Sequence, residues 1–176
     1  MRSTTLFLLL FLLLPAAAQR QRRPPAQPPS SQQSAEDRLL ADQRAIARLQ
    51  ESDIASNTAL DLDALVSLTT DDVVVLPPGR PPVVGHAALR SFYQGLVEKT
   101  PDAQVLAYSE EWDEVRIVGN FAFQWGTITE RTKPSVTAAE SSSAVHAMRM
   151  LARQPDGSWK IARFMWNAAP APGPTR

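Results

Sequence analysis

Asp53, Tyr93 and His146 are the residues of this chain whose types suit proton transfer. A carboxylate or imidazole held in an apolar pocket shifts its pKa, and a nearby hydroxyl can donate to the charge that develops. Together they make a general acid–base site. Asp53 lies in "ESDIASN" and is either an inward carboxylate or one more acid on a solvated helix face with Glu51. Charged helix residues are mostly exposed, which favours the solvated reading. His146 is one of only two histidines, with no second histidine or carboxylate at ligand spacing. It therefore does not suggest a metal centre, and it reads as a packed or surface histidine before it reads as a catalyst. His86 follows Gly85 at the opening of a helix and is explained by that glycine-to-helix switch.

A second group suits binding. Tyr108, Trp112, Trp125 and Trp166, with Tyr93, are flat side chains that either line a pocket for a small apolar molecule or simply pack. In the closing stretch "ARFMWN", strand alternation puts Phe164 and Trp166 on one face and Arg163, Met165 and Asn167 on the other. The inward set decides whether the pocket is aromatic or polar, so Arg163, Phe164, Trp166 and Asn167 all stay as candidates. Nothing in the pattern calls for a cofactor. Gly79 and Gly85 are isolated, and no glycine-rich loop precedes a Lys-Ser or Lys-Thr. Ser141, His146 and Asp156 lack the elbow sequence of a nucleophilic triad.

The elements that must position these residues follow from periodicity and turn chemistry. A first helix is expected over about 35–58, opened by Ser34 with Glu36 and Asp37, its apolar side carrying Leu39, Ile46, Leu49 and Ile54. A short second helix over about 62–68 has Asp61 as cap and Leu62, Leu65, Val66 and Leu68 on its buried side, and Asp71-Asp72 end it. "VVVL" at 73–76 is a strand running into "PPGRPP", where proline prevents a ladder. From Gly85, "HAALRSFYQGLVEK" makes a third helix with Leu89, Phe92, Tyr93, Leu96 and Val97 in one stripe, stopped by Thr100-Pro101. Strands are expected at about 104–110, 114–118, 121–132, 139–153 and 158–167, with turns at Gly119-Asn120, Lys133-Pro134 and Pro155-Asp156-Gly157. Helices followed by an antiparallel meander argue for an α+β fold with the helices on one face of a curved sheet.

The chain of 176 residues is long enough for one domain. Its 18 basic and 18 acidic side chains leave no electrostatic footprint for nucleic acid or an anionic membrane. With no cysteine, disulfides and thiolate chemistry are excluded. Arg2, an apolar run over 6–14, Pro15 and Ala16-Ala17-Ala18 form a signal peptide over 1–18. That run is well short of the roughly 20 residues of a spanning helix, so no membrane anchor is expected after cleavage. Given a bacterial source, the mature chain is expected to be periplasmic or secreted. Residues 19–35 read as a disordered Pro/Gln-rich linker with a solvated Arg20, Arg22 and Arg23, 36–168 as the domain, and 169–176 as a loose tail.

Three segments carry a resemblance over 41–167: Asp63-Ala64-Leu65, "DDVVVLPPGRPPVVGHAALRSFY" from Asp71 to Tyr93, and "RQPDGSWKIARFMWN" from Arg153 to Asn167. In this order they resemble the nuclear transport factor 2-like superfamily, in its SnoaL-like and ketosteroid-isomerase-like branch. The resemblance implies a cone-shaped, mostly antiparallel sheet wrapped around three N-terminal helices, a ligand pocket inside, and homodimers that pair through the sheet. Isomerase and cyclase members of that branch are acid–base catalysts. Relatives often carry an acid where this chain has Phe164, and its absence argues against isomerase turnover. The leading expectation is an exported domain binding a small apolar molecule. The alternatives are an isomerase, cyclase or dehydratase using Asp53 or His146 with Tyr93, and a dimerisation or interaction module.

Overall fold

The computed structural model describes residues 31–169. The expected signal peptide over 1–18, residues 19–30 of the expected linker and residues 170–176 of the expected tail lie outside the described residues, while residues 31–35 of that linker are helical. The α+β arrangement is the expected one, with some boundaries moved. Helix α1 spans Ser31–Ala59 and starts ahead of the expected 35, because no helix breaker follows Pro29. Its buried stripe is Asp42, Ala45, Ile46, Leu49, Asp53 and Ser56. Leu39, expected on that stripe, is exposed, as is every residue of 31–41. Helix α2 spans Leu62–Ser67, and Asp61 caps it by accepting a 2.9 Å bond from the Ala64 amide.

Strand β1 (Thr69–Leu76) starts before the β-branched run and takes in Asp71 and Asp72. After the proline loop, the two-residue β2 (Val83–Val84) folds back on it. Gly85, at φ +77°, then turns the chain into α3 (Gly85–Val97). His86 sits at that turn with its Nε2 3.2 Å from the Thr69 carbonyl oxygen, which ties the start of α3 to β1.

The two strands expected at 104–110 and 114–118 are one strand, β3 (Gln104–Val118), whose register slips between Trp112 and Glu114. Charged residues in "SEEWDE" mimic a break, but here they belong to a bulge, which absorbs the extra residue without ending the strand. β4 (Phe121–Lys133), β5 (Ser141–Arg153) and β6 (Trp159–Ala168) complete one sheet of order β2-β1-β6-β5-β4-β3. All pairings are antiparallel except β1 with β6.

Opposite the bulge, Gly126 stands against Trp112, and a Cβ there would lie 2.0 Å from the Glu111 carbonyl oxygen. A methyl group would therefore push the backbones of β3 and β4 apart. Gly126→Ala is expected to lower stability by about 1–3 kcal/mol or more, read as a reduced urea midpoint. An unchanged midpoint would mean the bulge has slack.

The core lies between the helices and the inner face of the sheet. One part packs Ala45, Ile46 and Leu49 of α1 on Ala122, Leu151, Trp159 and Ile161. The other gathers Val66, Val73, Val75 and Leu89, with Phe164 and Trp166 against them. Phe164 belongs to both groups, so the closing strand joins the two halves of the core.

Candidate functional site

The stripe of α1 carries two buried acids, Asp42 and Asp53, each facing an arginine of β5. The acids are eleven residues apart, about 16 Å along a helix, and Arg149 and Arg153 are four apart on one strand face, about 13 Å. The two spans nearly match, so α1 lies antiparallel to β5 and each acid meets its own guanidinium. Asp42 is chelated by Arg153 and also accepts a 3.2 Å bond from the Trp159 indole, at the end of the domain away from the cavities at Tyr93 and Tyr108.

The Asp53 end has a different composition. The Arg149 Nη2 donates to Asp53 Oδ2 and to Glu110 Oε1, both at 2.7 Å. All three side chains are sealed from solvent, at 3% exposure for Arg149, 5% for Asp53 and 0% for Glu110. Both faces of the guanidinium are covered, with its carbon 4.8 Å from the Trp112 ring centroid and 4.8 Å from that of Phe164.

One cation beside two carboxyls leaves an excess negative charge unless one acid keeps its proton, and a low-dielectric interior enforces that balance. Glu110 keeps it. Burial pushes its carboxyl up to about 8 against the pull of Arg149, with Asp53 pushing it the same way as burial. Burial also works to raise Asp53, but the Arg149 charge and hydrogen bonds from Glu110 and Arg149 hold it below the usual carboxylate range. At neutral pH the cluster is therefore a carboxylate, a carboxylic acid and a guanidinium, neutral as a whole.

Above this cluster the domain is hollow. A cavity of about 30 Å³ is lined by Asp53, Asn57, Tyr93, Tyr108, Arg149 and Phe164, among others. Beyond it are a chamber of about 220 Å³ between α3 and β3–β6 and one of about 310 Å³ toward the α2 end, which share Asn57, Tyr93, Leu96 and Glu130. Burial pushes the Tyr93 hydroxyl up to about 12, and Tyr108 is raised for the same reason, so both remain protonated hydrogen-bond donors. Among the described residues no group of three His, Cys, Asp or Glu side chains is placed to hold a metal ion.

The structure brings Asp53, Tyr93, Tyr108, Phe164 and Trp166 to this hollow. Trp112 is near but behind Arg149, as its platform. Asp53 is buried and not on a solvated face, because the stripe that seats α1 runs through it. His146, Trp125, Arg163 and Asn167 are not brought to the hollow. His146 pairs with Asn167 one step out of phase from inward Ala147 and Arg149, so both point away from the helices. Trp125 is 47% exposed and bonds Glu114 through its indole, and Arg163 reaches Asp72. The inward set of the closing strand is thus the aromatic one. Arg149, Glu110, Asn57 and Glu130 are site residues that sequence reasoning did not single out.

The sequence model of the SnoaL-like domain matches residues 54–164. The chain belongs to the SnoaL-like domain family. The family includes ligand-binding, isomerase and dehydratase members. No curated protein matches the chain in sequence. Among solved structures, this SnoaL-like domain is similar to a ketosteroid isomerase-like protein from Erwinia carotovora atroseptica, at 22% identity over 73% of this chain and 96% of that one, with a TM-score of 0.62. It is similar also to a conserved protein from Planctomyces limnophilus (27% identity, 74% and 99% covered, TM-score 0.63). A third is an NTF2-like protein with a cystatin-like fold from Novosphingobium aromaticivorans (19%, 81% and 92%, 0.64). These likenesses are of fold. The SnoaL-like domain shares with them the curved sheet over helices. Among the described residues no helix is long and apolar enough to cross a membrane.

Proposed function

We propose that this SnoaL-like domain binds a small, mainly apolar molecule in the chambers that meet at Tyr93. The observation that carries this reading is the pair of adjoining chambers, of about 310 and 220 Å³, with apolar and aromatic walls and a few polar groups at one end. That is the usual make-up of a ligand site. Asn57, Tyr93 and Tyr108 would orient the ligand's polar end, while Leu96 and Val97 of α3 and Leu60, Leu62 and Leu65 cover its body. A dedicated interaction module would have no use for such a hollow, which favours binding over that alternative. The signal peptide pattern over 1–18 supports a periplasmic or secreted site of action.

A second reading, acid–base turnover of isomerase, cyclase or dehydratase type, is favoured by one observation. Asp53 and Glu110 are held on opposite sides of neutrality, the split that separates a base from an acid. Binding without turnover ranks ahead of it, because Asp53 is tied to Arg149 and Glu110 is sealed from the chambers.

The sheet's outer face supports a homodimer. It carries Phe121, Phe123, Trp125, Met148 and Met165, each about half exposed. A row of large apolar groups of this kind is characteristic of a protein interface.

Native mass spectrometry of the protein purified from its own host tests these readings together. The expected spectrum shows a dimer carrying a retained small molecule. A Leu96→Trp variant, which fills both chambers, is expected to lose that molecule while keeping its melting temperature and its dimer. Retention of the molecule by the filled variant would remove the pocket reading.

A further inference from the structure

Among the described residues, the chamber of about 220 Å³ is walled by five aromatic side chains, Phe92, Tyr93, Tyr108, Phe164 and Trp166, and Glu130 is the one charged residue lining it. Among the described residues Glu130 is again the one charged residue lining the adjoining chamber of about 310 Å³. It lies on β4 in the inward row with Ile128 and Thr132, across from Tyr108 on β3 and Ser143 on β5.

Three other acids under the helices, Asp42, Asp53 and Glu110, each have an arginine. Glu130 has no cationic partner among the described residues. Its sequence neighbour Arg131 points to the opposite face and pairs with Glu140 at 3.1 Å. Burial is the one influence on its carboxyl, which it raises.

Glu130 is half-buried, and without a counter-charge its carboxylate is less favourable there than in open water. Phe92 and Phe164 already face Arg80 and Arg149, but the rings of Tyr93, Tyr108 and Trp166 remain beside it and make a cation the fitting guest, since aromatic quadrupoles attract positive charge and do nothing for an anion. The Arg149 cluster below is neutral overall and contributes no opposing net charge.

We infer that the ligand of this pocket is an organic cation, a protonated amine on an apolar body, whose ammonium sits between Glu130 and the aromatic wall. The inference rests on the pocket reading above and adds the ligand's charge to it.

Phenethylammonium and phenethyl alcohol, matched in shape and differing in charge, separate the two claims by titration calorimetry on the full chain. Wild type is expected to bind the ammonium at least about tenfold more tightly than the alcohol. Glu130→Gln is expected to abolish that preference through a loss of ammonium affinity, with the melting temperature unchanged. Equal binding of the two probes by wild type, or a preference that survives Glu130→Gln, overturns the cation while leaving the pocket. Binding of neither probe at millimolar concentration overturns the pocket reading and the inference with it.

Discussion

Arg149→Met is expected to destabilise the domain by about 3–5 kcal/mol, the cost of leaving a buried charge unpaired. Against a typical total of about 5–15 kcal/mol, that leaves little margin for folding. The guanidinium is the shared partner of Asp53 and Glu110 and fills the gap between the Trp112 and Phe164 rings. Its loss strands a carboxylate and empties an aromatic sandwich at once. The loss should come from the charges more than from the volume. A triple variant, Arg149→Met with Asp53→Leu and Glu110→Met, is therefore expected to recover most of the stability, since apolar replacement of a whole buried ion cluster is often neutral. Urea midpoints of the three proteins decide the matter. A single variant as stable as wild type, or a triple variant no better than the single, would show that the cluster is not the electrostatic unit described here.

The second large effect is a dependence on pH with an unusual sign. The Glu110 carboxyl is pushed to about 8 in the folded chain from an ordinary value of 4.5. Between those limits the folded state holds a proton that the unfolded state releases, so stability falls as pH rises. The slope approaches about 1.4 kcal/mol per pH unit for one proton. Below the lower limit both states are protonated and the contribution is fully present; above the upper limit it is lost and the curve flattens. Asp53, held below its ordinary value, acts in the reverse sense, and its contribution is lost only as pH falls through its lowered value. Taken by themselves, the two slopes place the optimum between 3.8 and 4.5, the ordinary values of the two carboxyls. Unfolding at pH values of about 5, 7 and 9 is expected to show the decline in wild type and a near-flat profile in Glu110→Gln, which stays neutral throughout. Parallel profiles for the two proteins would mean that Glu110 is already ionised in the fold.

Much of the fold could be read from residue order alone, because its signals are local. Asp61 caps α2, Gly85 opens α3, and Pro155-Asp156-Gly157 turns β5 into β6. The site was less legible, since its chemistry depends on strand phase. In β4 the large apolar residues Phe121, Phe123 and Trp125 point outward, while small or polar Ala122, Gln124 and Gly126 point inward. Hydrophobic alternation therefore suggests the wrong face for Trp125. Arg149 stands between two methionines in "AMRML" and looks like an exposed strand charge; what buries it is Asp53, on another element and far away in sequence. A usable signal did exist. Arg149 shares its strand face with Ala147, Leu151 and Arg153, and Glu110 shares one with Tyr108 and Trp112. The resemblance supplied the hollow and the direction of the helices, but it says nothing about which acids keep an arginine and which, like Glu130, do not.

The one parallel pairing, β1 beside β6, joins Val75 to Phe164 across most of the domain's length. On a ribosome, β1 must wait with an open edge until the last strand has emerged, because no earlier segment occupies that place in the sheet. Long-range closure of this kind is entropically slow. Nascent chains of this protein should therefore spend their synthesis with β1 and the facing edge of β5 unpaired, which is the period in which a holding chaperone would find them.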